Sequence, residues 1–214
     1  MAETLTFNSL ITDLQAYLER GTVVDTTVFA QLPRLINLAE RDIARALKIQ
    51  GFINVVTTVM GIGQSVYAKP DRWRDTVSMN FGVGVDQVRT SIYPRSYEYL
   101  RTYWPDENLT GQPKFYADYN YENWLIAPTP DVAYPLEILY YEMPPLLDLV
   151  NQTNWLTDYA PGALLHGSLL QASGFLKTDE RIPVWEKIYE RELSLLNGED
   201  IQKIIDRSVT RQEA

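Results

Sequence analysis

The sequence predicts an α+β fold in which helices from both ends of the chain form one discontinuous bundle around an inserted antiparallel β-rich region. Three observations predict it. Apolar residues recur at helical spacing near both ends, the middle is rich in β-branched and tyrosine residues with alternating polarity, and prolines at 105, 113, 128, 130, 135, 144 and 145 punctuate that middle. The expected boundaries are a bundle of residues 1–50 and 154–198, a β-rich insertion over 51–153, and a C-terminal docking tail over 199–214.

Phe7, Leu10, Ile11, Leu14 and Leu18 mark the first helix, with Asn8 or Ser9 as its cap and Gly21 as its stop. A second helix begins near Thr26 or, because Pro33 suits a first turn, at Leu32. Phe29, Leu32, Leu35, Ile36, Ala39, Ile43 and Leu47 mark its apolar face, and Arg34, Glu40, Arg41 and Arg45 lie mostly around that face. From Phe52 to Val59 the β-branched run predicts a strand, partnered by Ser65–Ala68 across Gly61 and Gly63. The segment Asp75–Val88 reads as a hairpin or open loop, given Gly82 and Gly84. Pro94 should open a short helix reaching Tyr103, and strands follow at 114–119, 123–127 and 136–142.

Helical spacing resumes at Asp158 and runs through Leu164, Leu165, Leu169, Ala172 and Phe175. The small residues Ala163, Gly167, Ser168, Ala172, Ser173 and Gly174 predict close approach of another helix, within the subunit or from a neighbour. We take Leu164, Gly167, Leu169 and Ala172 as candidate interface residues. A further helix spans Pro183–Leu196 with Gly198 as its stop, and a separate amphipathic segment follows from Asp200.

The charge is 19 − 28 = −9, which excludes non-specific wrapping of nucleic acid but suits the wall of a channel through which DNA slides. Without cysteine there is no disulfide, thiolate metal site or cysteine nucleophile. No apolar run approaches twenty residues, and the opening MAETLTFNSL lacks the pattern of a secretory signal. MGIG and FGVGV lack the Lys-Ser/Thr of a phosphate loop. The lone His166 has no metal-ligand or nucleophile motif around it. No cofactor and no catalytic centre are expected.

Carboxylates among aromatics (Asp106 and Glu107 beside Trp104; Asp118, Glu122, Glu137 and Glu142 among tyrosines) admit a glycan-binding or glycan-cleaving accessory protein, which needs two apposed acids. Fourteen tyrosines and five tryptophans point instead to a partner-facing surface, with Tyr119, Tyr121 and Trp124 as its candidates.

Over residues 134–196 the chain resembles the adaptor proteins of tailed bacteriophages. The resemblance rests on YYEMPP, the segment Asn154–Tyr159, the small-residue helix LLHGSLLQASGFL, the DER link and the helix WEKIYERELSLL. LPRLINLAERDIAR near the start is similar to the opening of those proteins. The group is the podovirus head-to-tail adaptor family of the tail tubular protein A type. It implies a structural, non-enzymatic virion protein of the neck, assembled in the host cytoplasm, that forms a twelve-subunit ring. Its implied partners are further copies, the portal protein, and a nozzle or tail tubular protein, with DNA passing through unread. By analogy the segment after Gly198 reaches the portal, with Ile201, Ile204 and Ile205 as anchors and Lys203 and Arg207 as partners for acids. Another neck, head-completion or tail-terminator ring protein is the alternative structural reading.

Overall fold

A computed structural model describes residues 4–20, 25–82, 88–176 and 179–210, with side chains described through residue 199. The fold is α+β, with helices toward both chain ends and a large, mainly antiparallel sheet between them. Two compact units emerge: Met1–Phe52 with Met143–Ala214, and Ile53–Glu142.

In the helical unit, α1 (Phe7–Leu18) buries Phe7, Leu10, Leu14 and Leu18. Its cap is Thr6, not Asn8 or Ser9. Thr6 Oγ1 accepts from the Ser9 N–H at 3.1 Å, and Ser9 Oγ accepts from the Thr6 N–H at 2.8 Å, so each end of the turn satisfies the other. The helix closes at Glu19, which takes a left-handed conformation (φ 55°). Gly21, the expected stop, lies outside the described residues. The expected second helix divides into α2 (Thr26–Phe29) and α3 (Leu32–Ala46), and Pro33 sits in the first turn of α3, where its missing N–H costs nothing.

The return segment leads into α5 (Trp155–Tyr159), α6 (Pro161–Gln171) and α7 (Ile182–Thr210). The expected helix over 158–176 is therefore broken at Pro161 and tightens to a 3₁₀ turn over Ala172–Phe175. Helix α6 packs against α1, α3 and α7. A side chain at Gly167 would place its Cβ 3.0 Å from Tyr189 of α7 and 3.5 Å from Ala39 of α3, so glycine permits both approaches at once. Gly198 does not stop α7. One glycine costs about 1 kcal/mol in a helix interior, too little to end a helix of 29 residues.

In the β unit, seven strands lie in the order β1-β9-β3-β4-β6-β7-β2. They are β1 (Ile53–Met60), β2 (Val66–Ala68), β3 (Trp73–Phe81), β4 (Thr90–Pro94), β6 (Phe115–Asp118), β7 (Asn123–Ala127) and β9 (Tyr134–Glu142). A small parallel pair, β5 (Thr110–Gly111) and β8 (Thr129–Pro130), stands apart from them. Within the seven-stranded sheet every pairing is antiparallel except β4 with β6.

The expected pairing of β1 with β2 is not formed. Strand β1 runs beside β9 (Ile53↔Tyr141 to Met60↔Tyr134), while β2 joins β7. The Gly61–Ser65 link is drawn away from a hairpin by Gly63 N–H donating to Pro130 O at 2.9 Å and Ile126 N–H donating to Ser65 O at 2.8 Å. Pro94 ends β4 instead of opening α4 (Tyr97–Tyr103), whose cap is Ser96. Asp75–Phe81 belongs to β3, which pairs antiparallel with β4 as far as Phe81↔Thr90, and Gly82 takes φ 78°, where a Cβ would meet Val88 O at 2.5 Å. Gly84 lies outside the described residues.

Met60 on β1 and Tyr67 on β2, at opposite ends of the sheet order, share one buried cluster with Met79, Phe81, Trp124 and Ile138. The sheet therefore curls around its own core. A second cluster of Leu100, Ala117, Leu125 and Ala127 lies under α4, so β7 is buried on both faces.

Candidate assembly surfaces

The sequence-expected interface residues separate by burial. Leu164, Gly167, Leu169 and Ala172 are buried in the helical unit, so the close approach they permit is intramolecular and they present no surface to a second chain. Trp124 is likewise buried, with no exposed area. Tyr119 and Tyr121 remain at the surface, 44% and 79% exposed. The side chains of Ile201, Lys203, Ile204, Ile205 and Arg207 lie outside the described residues, although the α7 backbone continues through them.

Trp124 anchors an aromatic stack that opens to the surface at Tyr121. The Trp73 ring meets Trp124 edge-on at 6.2 Å and Tyr121 edge-on at 6.2 Å. Both indole N–H groups donate to one oxygen, Thr76 Oγ1, at 3.2 and 3.1 Å, filling its two lone pairs. Lys69 lies across the stack with Nζ 3.5 Å from the Trp73 ring centre, and donates to Asp118 Oδ1 at 2.6 Å and Asn120 O at 3.0 Å. Its side chain is only 3% exposed. Charge, ring face and carbonyl together replace the water that this ammonium gives up. Replacing Lys69 with alanine should cost the β unit about 1–2 kcal/mol in urea unfolding, because the Trp73 face and Asp118 both lose their partner. An open cleft of about 340 Å³ lies beside this stack, lined by Lys69, Asp71, Trp73, Tyr121 and Glu122.

A second aromatic surface surrounds α4. Tyr97 packs on Tyr119 at 5.8 Å, Tyr99 on Tyr103 at 4.5 Å, and Arg95 lies over Tyr99 and Phe115. Tyr93 and Tyr103 are exposed. Tyrosines held by neighbouring rings offer rigid contact area at low entropic cost, as protein-binding surfaces do. Deeper in the unit, burial pushes the Tyr116 hydroxyl up to about 12, assisted by Asp118 and Asp75.

Four of the six acids considered for glycan chemistry stand in ion pairs with separate cations. Asp118 pairs with Lys69, Glu137 with Arg89, Glu142 with Arg72, and Glu107 with Arg101. Asp106 accepts from the Asn108 backbone at 2.9 Å. Among the described residues no group of three or more His, Asp or Glu could hold a metal ion. His166 Nδ1 sits 2.8 Å from Gly162 O, one turn back on α6, and so donates its proton to that carbonyl. No helix of the described residues is long and apolar enough to cross a membrane.

Glu40 was missed by sequence reasoning, which placed it on the polar rim of α3. It is fully buried. The Leu147 N–H donates to both carboxyl oxygens at 3.2 and 3.1 Å, Asn154 Nδ2 to Oε1 at 2.6 Å and Asn37 Nδ2 to Oε2 at 3.3 Å. Asn154 also caps α5 through Oδ1, so a single carboxyl ties α3 to the return segment and to the start of α5. Burial pushes this carboxyl up to about 7, outweighing the hydrogen bonds and Arg41, which pull it down. The only sequence signal was the position of Glu40 one residue beyond Ala39, on the margin of the apolar stripe.

No curated protein matches the chain. The SU10 adaptor protein family matches it over residues 5–212, across both the helical and the β unit. Since the match takes in nearly all of the sequence, the chain belongs to the SU10 adaptor protein family, a family of phage adaptors.

Proposed function

We propose that the protein is the head-to-tail adaptor of a tailed phage of the podovirus kind, located in the virion neck. Copies assemble into a ring between the portal and a nozzle or tail tubular protein, twelve of them by analogy with the adaptors it resembles. The observation that carries this reading is the family match over residues 5–212. The exposed tyrosines around α4 and β6 supply partner-facing area. The net charge of −9 favours a DNA path that offers the phosphate backbone little adhesion.

The protein mixed with its matching portal should give a ring stacked on the portal in electron-microscope class averages. Protein that stays monomeric and fails to join purified portal overturns the reading. The end of α7, with Ile201, Lys203, Ile204, Ile205 and Arg207, is the portal-docking segment in this proposal. Deleting residues 199–214 should weaken portal binding at least tenfold in a sedimentation assay while the remaining chain keeps its circular dichroism. Unchanged binding removes that assignment.

A further inference from the structure

Strand β1 is one edge of the seven-stranded sheet and pairs with β9 alone. Its outward backbone groups follow from strand parity. On β9 the Pro135 carbonyl accepts from the Gly82 N–H, on the β3 side, so alternation turns the backbone groups of Leu136, Ile138 and Tyr140 toward β1. Their partners there are Thr58, Val56 and Asn54. The N–H and C=O groups of Val55, Thr57 and Val59 therefore point away from the sheet. The Val55 N–H agrees with this parity, because it donates to its own neighbour, Asn54 Oδ1, at 2.8 Å.

Proteins ordinarily blunt an edge strand with charge, proline, a bulge or shortness. Strand β1 has none of these: it runs eight residues, INVVTTVM, in unbroken register with β9. Both of its faces are uncovered as well. On the outer face Val55 is 51% exposed and Val59 60% exposed. On the inner face Leu136, Ile138 and Tyr140 are buried, yet their β1 partners open to solvent, Val56 half-buried and Asn54 and Thr58 exposed. The core face stops one strand short of full cover.

We propose that the free edge of β1 takes up an extended segment of a different protein as an eighth strand. Only an extended backbone offers donors and acceptors at the two-residue repeat of Val55, Thr57 and Val59. A second copy fits poorly. The opposite edge of the sheet, β2, offers only three residues, and copies of net charge −9 repel on approach. The same charge selects a neutral or basic segment. Its inward side chains are apolar, laid beside Val56 and Thr58. This inference goes beyond the adaptor reading and does not depend on it.

The capped peptide Lys-Val-Thr-Val-Thr-Val-Thr-Lys serves as the probe. Amide exchange followed by NMR on the full chain should be fast at Thr57 and Val59 in the free protein, and slowed roughly tenfold or more by the peptide. Thr57→Pro removes an outward donor without touching the β9 ladder, and Thr58→Lys places a charge where the added strand would cover it. Both variants should keep their circular dichroism and bind the peptide roughly tenfold or more weakly. If Thr57→Pro fails to fold, Thr58→Lys alone decides. Val77→Lys, at an exposed position on β3 inside the sheet, should bind as the wild type does. Amides left unprotected at about 1 mM peptide overturn the proposal. An equal loss in Val77→Lys overturns it too, as does a Glu-flanked peptide that binds as tightly. A dimer of the free protein that Thr57→Pro abolishes gives the edge to a second copy and likewise overturns it. None of these results bears on whether rings form on the portal, so the adaptor reading is tested separately.

Discussion

Trp124→Ala should lower the stability of the β unit by about 3–5 kcal/mol, the usual cost of emptying a large aromatic site in a core. Trp124 has no exposed surface and lies in the cluster with Met79, Tyr116, Ile126 and Ile138. Its removal takes away the edge-on partner of Trp73 and one of the two indole donors to Thr76. A cavity opens under Lys69, whose ammonium sits 5.8 Å from the Trp124 ring and depends on the stack for its shielding. Urea unfolding followed by near-ultraviolet circular dichroism checks the size of the loss. A drop below about 1 kcal/mol would mean that the site collapses without a void and that the stack is not the keystone of the unit.

Stability should also fall as pH rises from about 5 to about 8, through Glu40. Its carboxyl titrates near 7 in the folded protein and near 4.5 when unfolded, so the folded state holds the extra proton between those values. Stability from a raised group is complete below the unfolded value and is lost as pH climbs through the folded one. Over this window the loss amounts to about 3 kcal/mol. Glu40→Gln removes the titrating proton while keeping a polar side chain for Leu147 and Asn154. Thermal melts of both proteins across the window isolate the effect, with the wild-type slope expected to be steeper. Parallel curves would show that Glu40 stays ionised, held by its hydrogen bonds.

The helices were legible because their stripes are periodic: Leu10, Leu14 and Leu18, or Leu35, Ile36, Ala39 and Ile43, name a face without any knowledge of what covers it. Strand partners were not legible, since β1 pairs with β9 some eighty residues away and no local turn announces that register. Strand β3 was obscured by two irregularities against β9, which break the alternation that would reveal it. Trp124 and Tyr121 looked equivalent in the aromatic run, yet one is wholly buried and the other 79% exposed. Composition identifies a sticky segment; which side of a strand faces the core depends on residues elsewhere in the chain. Glu40 shows the same limit for charge, because two of its donors, Leu147 and Asn154, lie more than a hundred positions downstream.

The β unit begins at Ile53 and ends at Glu142, and Ile53 lies directly opposite Tyr141 in the β1–β9 ladder. Its entry and exit are thus neighbours across one strand spacing, roughly 5 Å. A module attached through adjacent ends can be exchanged for another, or trimmed to a tight turn, without changing the gap its host must bridge. Phage lineages that keep the helical host while replacing this cassette would retarget whatever the cassette touches in a single recombination event.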